Sequence, residues 1–179
     1  MMADKKAEIE ELIGRLVPAV VRLAQFDDYD DVIPRAGAPA SPAAIETYEK
    51  YLGIRLPPYY RAFLELHDGY EALAFPGRDL LSIESVMPGG AHHGDIAEWK
   101  KLSTETGAGE VLDAIVIANS DQPNNWDYLD LNRFSAGGEL VVVRWTASRS
   151  LRFPNFHDYL EQWCLATSMT AYESIKAES

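Results

Sequence analysis

The side chains best equipped for chemistry in this 179-residue chain are one cysteine, four histidines and scattered carboxylates. Cys164 and His157 suggest a thiol–imidazole pair. Seven residues apart on one helix, they stand about 10.5 Å apart along its axis, against the ~3 Å a nucleophile and its base require. The spacing excludes the pair, and Cys164 reads as a small buried apolar residue. His92, His93 and Asp95 have the residue types of a metal site. Adjacent side chains diverge on regular structure, however, and no spaced partner completes a shell. His67 precedes Asp68 with no nucleophile nearby in sequence, and its place at a helix end suits an imidazole beside the C-terminal dipole. Asp121, Asp127 and Asp130 are acid–base candidates. In the strand "WDYLDL", Asp127 and Asp130 are three apart and point to opposite faces. Asp121 falls in "NSDQPNNW", a turn-rich run whose Asp and Asn side chains bond their own backbone. Arg144, Arg149 and Arg152 form the local basic group, which reads as pairing with the surrounding acids. There is no phosphate loop, dinucleotide fingerprint or nucleophile elbow. The residues predict a chain with no catalytic, cofactor-binding or metal site. A hydrolase built on His67 or the His92–His93 loop would require bound metal, or activity lost in His93→Ala.

The elements that would position these groups follow from periodicity. Over residues 5–25, Ile9, Leu12, Ile13, Leu16, Val20 and Leu23 recur at helical spacing, with Pro18 expected to kink the helix or start a second piece. "FDDYDDVIPRAGAPASP" reads as an exposed acidic loop and Ala/Pro connector. Ser41-Pro42 pairs a capping serine with proline at the first helical position, Ile45, Tyr48 and Leu52 form a buried stripe, and Gly53 stops the helix. Pro57-Pro58 opens a second short helix with Tyr59, Phe63 and Leu66 on one face, and Gly69 ends it. The two make a helical hairpin whose apolar face needs a cover. "EALAF" and "LLSIESV" read as short strands or extended segments, and Asp95 as the cap of a helix reaching about Glu105. "DAIVIAN" is a central strand, while "WDYLDL" and "ELVVVRW" are joined through the paired glycines of "NRFSAGG". Asn155 caps a last helix with Phe156, Tyr159, Leu160 and Trp163 facing in. The order predicts an α+β single domain: a mixed, mainly antiparallel sheet flanked by an N-terminal helical hairpin and a C-terminal helix. Residues 1–34 form an N-terminal helical extension and acidic loop, and 35–179 the α+β domain.

Composition narrows the partners. The net charge is −12, spread along the chain rather than held in a tail, which disfavours nucleic acid and either simply aids solubility or attracts a basic protein. A lone cysteine, a charged N-terminus and no bilayer-length apolar run predict a cytoplasmic protein with no membrane contact.

"ASPAAIETYEKYLGIRLPPYYRAFLELHDGY" closely resembles the signature of the SUKH superfamily, the cell-wall-assembly-regulator and bacterial toxin-immunity group. Glu49, Leu52-Gly53, Leu56-Pro57, Tyr60, Phe63, Leu64 and Asp68-Gly69 stand at the matching positions. "IVIANSDQPNNWDYLDL" is similar to the family's second landmark, through Tyr128, Leu129 and Asp130. The acidic segment 1–31, the tail after Leu165 and the turn "DQPNN" depart from the pattern. The resemblance implies an α+β fold with a mixed sheet, no catalysis and no cofactor. It also implies a role as an immunity protein that binds and blocks a cognate toxin, often a nuclease. The alternative is a regulatory scaffold with several partners. Partner contacts are expected at Asp27, Asp28, Asp30, Asp31, Tyr70, Trp126 and Asp127, acidic groups and aromatic anchors suited to a basic cleft.

Overall fold

The computed structural model describes residues 2–26, 33–74, 78–107, 111–120, 126–145 and 150–177. Helix α1 spans Met2–Phe26, followed by the two-residue strand β1 (Arg35–Ala36) and the helices α2 (Pro42–Leu52) and α3 (Pro58–Leu66). Strands β2 (Tyr70–Ala74) and β3 (Arg78–Leu80) lead to the single-turn α4 (Ile83–Val86) and to α5 (His93–Glu105). The chain then runs β4 (Ala114–Ser120), β5 (Asp127–Phe134), β6 (Leu140–Trp145) and β7 (Ser150–Phe153), and ends in α6 (Phe156–Ala177). Among the described residues no helix is long and apolar enough to cross a membrane.

The α+β class is as expected. Its seven-stranded sheet has the order β1-β2-β3-β4-β5-β6-β7, and each pairing is antiparallel. Neighbours in sequence are neighbours in the sheet, so among the described residues the sheet is wholly antiparallel where a mixed, mainly antiparallel one was expected. "DAIVIAN" supplies the central strand, and Gly137 and Gly138 take left-handed φ values of 75° and 77° in the β5–β6 turn. The row Leu129, Val142 and Phe153 lies on the face toward α6, where the Phe153 and Tyr159 rings stand 5.5 Å apart. Tyr128, one residue on, faces the other way, with Trp99 of α5 at 5.8 Å. Strand alternation thus gives both faces a helical cover.

Met2–Phe26 is one helix with Pro18 inside it, so of the two expectations at Pro18 the second piece falls away. Two other local expectations are revised. "LLSIESV" is not extended throughout, because Ser82 accepts the Ser85 N–H at 3.2 Å and Asp68 accepts the Ile83 N–H at 2.7 Å, which starts α4. Helix α5 begins at His93, so Asp95 lies in its first turn instead of capping it.

Helix α1 buries all six of its predicted apolar positions against α3 and α6. Polar contacts fix its register. Lys5 Nζ sits 3.2 Å from Glu139 Oε1 and 3.2 Å above the Tyr59 ring. The Tyr59 hydroxyl donates to Glu8 at 2.5 Å, which together with burial pushes its pKa up to about 12. Glu139 also accepts the Tyr59 N–H at 3.2 Å, a cap that Pro57 has no side-chain group to supply. A carboxylate there opposes the positive end of α3. Glu139→Ala should therefore lower stability by about 1–2 kcal/mol through loss of this cap and its ion pair, as measured by urea unfolding.

Candidate functional site

The signature segment first builds itself. Ser41 accepts the Ala44 N–H at 3.1 Å, and Gly53 turns the chain with φ 72°. Glu49 then holds the corner, its Oε1 accepting from the Leu56 N–H at 2.9 Å and from Arg61 at 2.9 Å. Tyr60, Phe63 and Leu64 are buried, with Phe63 packed 5.3 Å from Phe156 of α6. Where α3 ends, the Asp68 N–H donates to Ala38 O at 2.8 Å and the Gly37 N–H donates to Gly69 O at 2.9 Å. Gly69 has φ 88°. The approach is so close that a Cβ on Gly37 would stand 2.2 Å from the Asp68 carbonyl oxygen. We expect Gly37→Ala to push β1 off this turn and to cost about 1–3 kcal/mol, read by thermal unfolding.

This junction floors a cleft of about 460 Å³ lined by Gly37, Asp68, Tyr70, Glu71, Asp79 and His92, with Arg35 at its rim. Asp79 Oδ1 accepts the N–H of Ala72, a non-glycine residue at φ 51°, at 2.7 Å, and so helps hold the irregular turn of β2. Burial pushes the Asp68 carboxyl up, against the lowering effect of the Ile83 N–H. Arg35 pairs with Glu71 at 2.6 Å, both side chains being well exposed. Trp126 stands behind His92, the two rings 6.4 Å apart, and its other neighbour is Trp99 at 6.2 Å. Tyr70 and Trp126 therefore belong to the surroundings of one cleft, though each exposes only 8% and 9% of its surface.

Asp127 is elsewhere. It has no exposed surface, and its carboxylate accepts from Arg78 at 2.7 Å, from Arg144 at 3.4 Å and from the Tyr159 hydroxyl at 2.6 Å. The expectation of a surface contact at Asp127 is corrected for this reason: three internal donors already use it. Asp130 turns the other way and serves the Asn132 N–H at 3.0 Å and Arg133 at 3.1 Å. Asp27, Asp28, Asp30 and Asp31 lie outside the described residues, as do Asp121 and Arg149.

The histidines separate. His93 Nδ1 lies 3.2 Å from Val86 O, while His92 lines the cleft. Burial pulls the His67 pKa down, against the raising effect of its backbone contact with Gly37. Cys164 is buried against Leu12 O, and burial pushes its thiol up. Among the described residues, His157, Asp158 and Glu161 are the set able to offer three metal-ligand atoms within 4.8 Å of one another. Their spacing on the first turns of α6 was open to view in the sequence. The cleft was not, because its lining comes from four separated segments.

The geometry defines an antiparallel α+β domain in which α3 of the helical hairpin packs on α1 and α6, with a polar, aromatic-walled cleft where α3 runs on into β2. Residues 39–162 match the SMI1 / KNR4 family (SUKH-1), and the chain belongs to it. No curated protein compared with the chain matches it. Glu49, Gly53, Asp68 and Gly69, whose bonds shape the corner and the cleft floor, all lie inside the matched residues. Helix α1 precedes them, yet shares their core.

Proposed function

We propose that the protein is a non-enzymatic immunity protein that binds and blocks a cognate bacterial toxin, basic and nuclease-like, in the cytoplasm. Membership of the SMI1 / KNR4 family (SUKH-1) over residues 39–162 is the observation that carries this reading. The net charge of −12 supports a basic partner, since an acidic surface speeds encounter with one and repels nucleic acid. In this reading Asp27, Asp28, Asp30 and Asp31 add to the attracting field, and Tyr70 and Trp126 are the aromatic groups at the contact.

Co-expression with the toxin encoded beside the gene tests it. Cells should survive, and a complex should co-purify and weaken as salt is raised. Death of the cells together with absence of a complex refutes the reading. The same family membership supports a regulatory scaffold as the second reading. That protein would bind several partners weakly and would have no toxin gene beside it.

A further inference from the structure

We propose that the cleft between β1, β2, β3 and α4 is a guanidinium pocket that receives an arginine side chain of the partner protein. The partner's identity rests on the immunity reading; the chemistry of the pocket does not.

Three carboxylates line the cleft, Asp68, Glu71 and Asp79, and Arg35 is the lining group of opposite charge. Arg35 pairs with Glu71 at the exposed rim, and among the described residues no ion pair is made by Asp68 or Asp79. Each of these two gives Oδ1 to a backbone N–H, of Ile83 and of Ala72. Among the described residues, no other hydrogen bond to either carboxylate occurs. These backbone bonds orient the carboxyl groups before any ligand arrives, which reduces the ordering cost of binding.

Tyr70 and His92 add ring surface to the same lining. A planar guanidinium presents a fork of donors to carboxylate oxygens and stacks on aromatic faces, whereas an ammonium is a compact, strongly hydrated point charge. A volume of about 460 Å³ accommodates one long side chain with water. Burial disfavours the charge on Asp68, and a cation placed beside it removes that penalty. Acidic residues, ring walls and fixed carboxylates thus meet in one concave place.

The test uses the full chain and three small probes: N-acetylargininamide, N-acetyllysinamide and N-acetylcitrullinamide. Backbone amide resonances are followed by NMR during titration. The arginine probe should shift Tyr70, Glu71, Asp79 and His92, the lysine probe should shift them less, and the neutral citrulline probe should leave them in place. The variant Asp79→Asn keeps an acceptor for the Ala72 N–H and leaves the Arg35–Glu71 pair intact, and should weaken arginine binding about tenfold. Absent or scattered shifts, equal shifts with citrulline, or unchanged binding by the variant would overturn the pocket. No toxin is present in this titration, so its failure leaves the co-expression result standing, and loss of protection leaves the titration standing.

Discussion

Asp127→Ala should cost about 3–5 kcal/mol of stability, the loss typical of breaking a buried ion pair and leaving its partners uncompensated. The carboxylate has no exposed surface and holds together two strands and a helix: Arg78 from β3, Arg144 from β6 and Tyr159 from α6. Removing it leaves both guanidiniums facing each other's charge and strips a buried phenol of its acceptor. Burial and the neighbouring Asp127 charge hold the Tyr159 hydroxyl far above its usual titration range, so the phenol stays a donor in need of an acceptor. Arg144 also lies over the rings of Tyr159 and Trp163, at 5.8 Å and 5.3 Å, so its displacement loosens α6 against the sheet. Urea unfolding of Asp127→Ala beside Asp127→Asn, which keeps an acceptor, separates charge from hydrogen bonding. A loss below about 1 kcal/mol would mean that the site behaves as exposed surface.

Phe63→Ala should lower stability by about 3–5 kcal/mol, because a fully buried ring leaves both lost transfer energy and a cavity. The ring has no exposed surface and meets Phe156 at 5.3 Å, Tyr60 at 6.4 Å and His67 at 6.2 Å. It is where α3 leans on α6. The damage should reach the cleft as well, since α3 runs directly into Asp68 and Gly69. Thermal unfolding gives the stability loss, and Phe63→Leu, which refills most of the volume, should recover about half of it. If Phe63→Ala unfolds like the parent chain, the hairpin is not seated as described.

The hairpin was the most legible part of the sequence. Ser41-Pro42, Gly53 and Pro57-Pro58 mark the helix starts and the first stop by residue type alone, but α3 ends at Leu66 with His67 as its extended cap, and the left-handed Gly69 beyond it serves the contact with Gly37 instead. The apolar stripe of α1 and the Asn155 cap, which accepts the Asp158 N–H at 2.9 Å, were readable for the same reason. Asp127 was not. Beside a turn-rich run it looks solvated, and the arginines that bury it stand 17 and 49 positions away. β1 and β7 carry two and four residues and exposed patterns, too little for periodicity to register. Glu139 reaches across 80 positions to cap α3, a role no local motif advertises.

The meander has a kinetic corollary. The pairs β2–β3, β4–β5, β5–β6 and β6–β7 are joined by short connections and close cheaply in chain entropy, whereas β1–β2 and β3–β4 close across two helices each. The longest closures are those that bring α1 onto α6, as where Leu12 O meets Cys164 across 152 positions. Truncations such as Ile9→Val should therefore accelerate unfolding and leave the refolding rate nearly unchanged, marking the first helix as a late arrival on a sheet already assembled.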